Sequence, residues 1–231
     1  MKAIRKKLVL AVLAGASLIL AAPSATARGK VLIPGISDLT ADWYQWQEAY
    51  YPGFDFGEDC SLGQGGVVWF LGGTGGGDPV VRECYEPVPA GKQLLFPLVN
   101  VNWANAPEEN LSVYEKRMVL DDVLGDQDAE DVFGGAQACK LTAVLDGEPV
   151  VFAGTPIQRV QTPPFDWGGD PKTIGDGYWV LLPKLPLGEH TIHFTGGLCV
   201  TAGSEYWIGA GLQPGDELFK VDVTYMLNVV E

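Results

Sequence analysis

The strictest constraint in this chain lies at its C-terminal end. Phe219, Val221, Val223, Tyr225, Leu227 and Val229 alternate without a break with Lys220, Asp222, Thr224, Met226 and Asn228. Successive side chains of an extended strand point to opposite faces, so a period of two describes one dry face and one wet face. Such a strand needs sheet neighbours and a second apolar layer over its dry side. The preceding sequence supplies them. Leu141, Ala143 and Leu145 alternate with Lys140, Thr142 and Val144, and Asp146-Gly147 is a hairpin turn leading into a strand at 149–152. Segments 157–161, 178–182 and 191–194 read as further strands, parted by turns rich in proline or glycine. The predicted fold is mainly β, a β-sandwich of jelly-roll or immunoglobulin-like type.

The N-terminal half departs from this pattern. Residues 67–71 are apolar without alternation, which describes a strand buried on both faces. Two short helical segments are expected. Ser37-Asp38-Leu39-Thr40 offers caps for a first helix that Pro52-Gly53 must end. Within it Leu39, Trp43, Trp46 and Tyr50 share one face, with Tyr44 and Tyr51 off the stripe. A second helix is expected to start at Asn105-Ala-Pro-Glu-Glu109, with Leu111, Tyr114 and Met118 facing inward. The glycine cluster at 72–77 resembles a phosphate loop in composition alone. It runs into Asp78-Pro79 and another strand, not a helix, and no Gly-Lys-Ser/Thr follows, so a hairpin loop joining 67–71 to 79–84 is expected.

Residues 1–27 have the form of an export signal: Lys2, Arg5, Lys6 and Lys7, then the apolar stretch 8–22, then Ala25-Thr-Ala27. Residues 28–231 are expected to form a single domain, with no membrane span once the leader is removed. The chain carries a net charge of −14, and loss of those four cations would take it to −18. So acidic a chain argues against nucleic acid or an anionic membrane as partner. Its four cysteines lack C-x-x-C spacing, and an exported chain uses an even number for disulfides. Four cysteines allow three pairings. Cys60–Cys84 with Cys139–Cys199 is favoured, because the first two flank the expected hairpin and the others sit in strand-like segments.

Several phrases carry a resemblance. Trp43-Tyr-Gln-Trp46, the stretches 59–71 and 88–97, and the stretches 176–183, 186–194 and 221–225 are similar to a group of exported bacterial proteins without an assigned activity. Pro186-Leu-Gly-Glu-His-Thr-Ile-His193 also resembles a strand opening of many immunoglobulin-like extracellular domains. The resemblance implies an exported sandwich, in the periplasm, the cell envelope or the medium. It brings no catalytic residues with it.

Catalytic motifs are sparse. His190 and His193 are three apart on a strand, so they face opposite ways and cannot chelate one metal together. Asp126, Asp128 and Glu130 have the spacing of a calcium loop, but Asp131 and Gln137 stand where an EF-hand needs glycine and glutamate. No metal and no cofactor is expected. The leading expectation is a non-catalytic exported binding or envelope protein, with a glycan or another extracellular protein as partner. Its candidate stacking residues are Trp43, Trp46 and Trp167, the last in a loop; the other reading of Trp43 and Trp46, and the favoured one for that helix, is that they pin it to a sheet. The alternative is a small secreted hydrolase of glycosidase type using paired carboxylates near the first helix. Glu48 and Asp59 are the candidates, with Asp42, Asp55 and Glu58 nearby. A purely structural envelope or matrix role is a third expectation.

Overall fold

The computed structural model of the chain describes residues 35–52, 56, 59–124, 136–204 and 208–231. The leader at 1–27, the acidic residues Asp126, Asp128 and Glu130, and Asp55, Glu58 and Trp207 lie outside the described residues. Two sheets pack face to face as a β-sandwich. The first holds β1 (Val68–Phe70), β4 (Gln93–Trp103), β9 (Asp170–Leu182) and β7 (Gln158–Gln161) in that order, with β8 (Phe165–Trp167) paired to β9. The second runs β2 (Val80–Glu83), β11 (Glu217–Val230), β10 (Gly188–Val200), β5 (Ala136–Leu145) and β6 (Glu148–Pro149), with β3 (Val88–Pro89) also on β11.

The alternation of β11 does what its period requires. Val221, Val223, Tyr225, Leu227 and Val229 are buried with Ile192 and Phe194 of β10, against Leu94, Phe96, Leu98, Val180 and Leu182 of the first sheet. Phe96 and Phe194 stack with centroids 4.6 Å apart across this core. The first sheet is covered on its other side as well. There Val68, Leu95 and Trp179 meet Leu39, Trp43, Tyr44 and Trp46 of α1 (Ile36–Tyr50). The molecule thus has three layers: helix, covered sheet, open sheet. The non-alternating run at 67–71 is explained by this, since Val68 and Trp69 are buried on opposite faces of β1.

Four local expectations are corrected. The segments around 67–71 and 79–84 do not form a hairpin: β1 lies in the covered sheet beside β4, and β2 in the open sheet beside β11, both in parallel pairing. The glycine cluster instead carries the chain from one sheet to the other. Arg82 fastens that crossing by donating to the Gly72 and Gly73 carbonyls, with its guanidinium over the Phe56 and Tyr225 rings. On α1 the buried face is turned: Tyr44 is fully buried, Tyr51 beyond its end is buried too, and Tyr50 is half exposed. The indole of Trp43 must reach the Leu71 carbonyl and the Tyr44 hydroxyl the Val101 carbonyl, which sets that rotation. The second helix, α2 (Val113–Leu124), begins later than predicted. Ser112 and Glu115 form a reciprocal capping box at its start, while Tyr114 and Met118 are exposed. Its inward face is Lys116, Leu120, Val123 and Leu124, because the buried Lys116 ammonium pairs with Asp170 and donates to the Lys172 carbonyl. Finally, the strand after the 146–147 turn is two residues long and passes into a 3-10 turn, Val150–Ala153.

Other expectations hold. Asp146 and Gly147 both take positive φ, 51° and 88°, as the two-residue hairpin turn demands. Both disulfides form in the expected pairing, Cys60–Cys84 and Cys139–Cys199. Closing the first of these loops contributes on the order of 3 kcal/mol. No helix among the described residues is long and apolar enough to cross a membrane.

Candidate functional site

The tryptophans expected to stack on a ligand are mostly core residues. Trp43 is 1% exposed and Trp46 5%. Their rings are used within the protein: Trp43 meets Trp179 edge-on at 5.3 Å, and Trp46 packs on Tyr51, Phe56 and Phe70. Neither offers a ring face to solvent. Trp167 closes β8 and is half-buried, edge-on to Tyr44. The candidate carboxylates Glu48 and Asp59 are each engaged by hydrogen-bond donors of neighbouring segments. Glu48 accepts from the Gly168 backbone N–H at 2.6 Å, tying α1 to the β8–β9 turn. Asp59 accepts from the Ser61 N–H and hydroxyl and from the Tyr85 N–H. Burial opposes ionisation of Asp59, but those three donors outweigh it and hold the carboxyl below the usual range. Asp42 lies exposed on α1.

The polar groups that do converge are on the outer face of the open sheet. The geometry there starts in the opposite layer. Pro97 in β4 has no N–H to give, and the β4–β9 ladder slips by one residue between Pro97 and Val99. The Leu98 carbonyl bulges toward β10, where a Cβ on Gly196 would lie 2.3 Å from it, so no larger residue fits. At that point the β10–β5 ladder also slips, between Thr195 and Gly197, and opposite the slip Lys140 takes a left-handed φ of 53°. A further slip follows in the β10–β11 ladder between Leu198 and Cys199. Bulged strands bend and re-aim their side chains. Here the bend opens a cleft of about 260 Å³ lined by Lys140, Thr195, Gly196, Glu217, Lys220 and Asp222. A second cleft of about 380 Å³ shares Glu217 and Lys220 and reaches Gly75–Gly77 of the crossing loop. Together they form one open groove.

Within the groove the polar groups are matched to one another. Lys140 Nζ lies 3.0 Å from Glu217 Oε2 and Lys220 Nζ 2.8 Å from Asp222 Oδ2. His193 Nε2 lies 3.0 Å from Asp222 Oδ1, so both oxygens of that carboxylate are engaged. The Thr195 hydroxyl donates to the Lys140 carbonyl, steadying the left-handed residue, and contacts the Thr142 hydroxyl at 2.8 Å. The Lys220 hydrogen bond lowers the Asp222 pKa; burial works against this, and His193 adds to it. The same bond to Asp222 raises the Lys220 pKa, assisted by the charges of Glu217 and Asp78. Both groups stay charged across the physiological range.

His190 faces the other way, as the strand period requires, at the rim of the sandwich. Its Nδ1 meets Asp146 Oδ2 at 2.7 Å and its Nε2 meets the Pro186 carbonyl at 3.0 Å. Two acceptors on one imidazole call for two N–H groups, hence the cation. Burial alone would lower its pKa, but the two hydrogen bonds and the Asp146 charge raise it. A separate buried network joins Asp176 to Arg159 at 2.8 Å and to Gln161 at 2.9 Å, with Asp121 of α2 on the same guanidinium. Burial raises the Asp176 pKa against the pull of these partners. This network fastens α2 to β7 and β9.

The groove residues escaped the sequence reading for a physical reason. Lys220 and Asp222 were legible as the wet face of β11, but Lys140, Thr195 and Glu217 reach them across three ladder slips that no local pattern encodes. No protein-family model, no curated protein and no solved structure matches this chain.

Proposed function

We propose that this protein is an exported, non-catalytic binding module that holds a glycan in the groove of the open sheet. The observation that carries this reading is the convergence of ammonium, carboxylate and hydroxyl groups on one bent, solvent-open strand surface. Sugar hydroxyls both donate and accept, and neighbouring ammonium and carboxylate groups offer the matching partners. Asp222 is held ionised by Lys220 and His193, which suits an anchor for those donors and not the proton donor that glycoside cleavage requires. Export is supported by the leader-like N-terminus and by two disulfides, which persist in oxidising compartments.

The test is calorimetric titration of the purified protein with a panel of neutral and acidic soluble polysaccharides, with new reducing ends assayed in the same samples. Saturable binding without new reducing ends, weakened by Lys220→Ala and unchanged by Trp167→Ala, is the expected result. New reducing ends, or binding lost with Trp167→Ala and kept with Lys220→Ala, would overturn it.

A further inference from the structure

The ion pairs of the groove share an asymmetry. In both, the ammonium is the more exposed side chain: that of Lys140 is 57% exposed against 27% for Glu217, and that of Lys220 38% against 17% for Asp222; the His193 ring, hydrogen-bonded to Asp222, is 42% exposed. The order is not general in this protein. Arg159 is 27% exposed against 59% for Asp121, with the carboxylate outermost. In the groove the carboxylates therefore stand behind as anchors, and the N–H donors are turned to solvent. Both oxygens of Asp222 are already occupied, by Lys220 and by His193. Each ammonium has three N–H donors and gives one to its carboxylate, leaving the others for a ligand.

We infer that the ligand is an oxyanion-bearing polysaccharide, whose carboxylate or sulfate groups are received by Lys140 and Lys220. This rests on the reading of the groove as a glycan site and narrows it. The chain as a whole is acidic, at −14, so an anionic polymer is repelled by most of its surface. At physiological salt that repulsion is screened beyond about 8 Å, while contacts made at hydrogen-bond distance in the groove lie inside that length and are weakened less. Binding is thereby confined to the place where donors point outward. The left-handed backbone at Lys140, held by the Thr195 hydroxyl, fixes the start of one of these donors at the groove wall.

The experiment compares three polymers by titration: a uronate polysaccharide, the same polysaccharide after reduction of its carboxyl groups to alcohols, and a sulfated polysaccharide. The uronate or the sulfated polymer binds, the carboxyl-reduced one at least about tenfold more weakly, and affinity falls as salt is raised. Preference between the first and third identifies the oxyanion. Lys220→Gln weakens the acidic ligand about three- to tenfold, Lys220→Arg restores most of it, and Glu217→Gln tightens it by freeing Lys140. Glu217→Gln supplies a gain that loss of folding cannot mimic. Equal affinity for the uronate polymer and its reduced form would overturn the inference while leaving a glycan site standing. Binding of none of these polymers, with none in the wider panel either, would overturn both.

Discussion

The covered sheet and the open sheet are built from strands of similar length, yet they treat their outer faces in opposite ways. The covered sheet turns Leu95 and Trp179 outward and buries them under Trp43, Tyr44 and Trp46 of α1. The open sheet turns His193, Thr195, Lys220 and Asp222 outward and leaves them wet. The aromatic residues between α1 and the covered sheet therefore report layering. An indole that stacks on a helix or strand contributes its area to stability and has no face left for a sugar. Among the described residues, the charged and hydroxyl groups that line the groove sit on the face that the third layer does not cover.

Substitutions can break or sharpen that contrast. The largest effect is expected under the helix: Trp43→Ala removes a fully buried indole and should destabilise the protein by about 3–5 kcal/mol in urea unfolding. A loss below about 1 kcal/mol would mean that α1 is an ornament on the sandwich and not a layer of it. Next comes the contact between the sheets. Gly196→Ala places a methyl against the Leu98 carbonyl and should cost about 1–3 kcal/mol, while also reshaping the groove so that polysaccharide affinity falls. Retained stability with lost affinity would separate the two roles of that bend.

A smaller effect, with a distinctive pH signature, belongs to His190. Its folded pKa is raised above the ordinary 6.5, so its contribution is fully present below that value and fades as pH rises through the folded pKa. For Asp146, burial opposes the shift, but hydrogen bonds from His190 and Thr191 and the His190 charge lower it from 3.8. That contribution is present above 3.8 and lost as pH falls through the folded value. The stability difference between the native protein and His190→Gln should thus be greatest between those two values and shrink toward pH 9. A difference that grew with pH would contradict the doubly bonded imidazolium. The smallest effect is expected on the wet face. Lys140→Gln should change unfolding free energy by no more than about 0.5 kcal/mol, its consequence appearing in ligand affinity alone.

Much of this architecture could be read from residue order. The period of two in 219–229 named the strand and its dry face, Asp146-Gly147 named the hairpin, and the unbroken apolar run at 67–71 named a strand covered on both sides. Each is a local property, set by backbone geometry and by which side chains tolerate water. Helix position was less legible. Ser112 and Glu115 carried the signal for the true start of α2, but Pro107 and its acidic neighbours offered a competing one. The inward face of that helix was then decided by a lysine, because Asp170, more than fifty residues away, gives its ammonium a buried partner.

Residue order by itself determined the alternating strand at 219–229, the hairpin turn, the acidic charge and a cysteine set suited to an oxidising compartment. Each of these follows from near neighbours or from sums over the chain. Tertiary structure alone decided that the glycine cluster crosses between sheets, that Tyr44 joins Trp43 and Trp46 in the core, and that Lys140, Thr195, Glu217, Lys220 and Asp222 share a groove. Those outcomes depend on which strand edges meet and where their ladders slip. Contacts between distant segments, Pro97 and Leu98 against Gly196 above all, set both, and no window along the chain contains the two sides of such a contact.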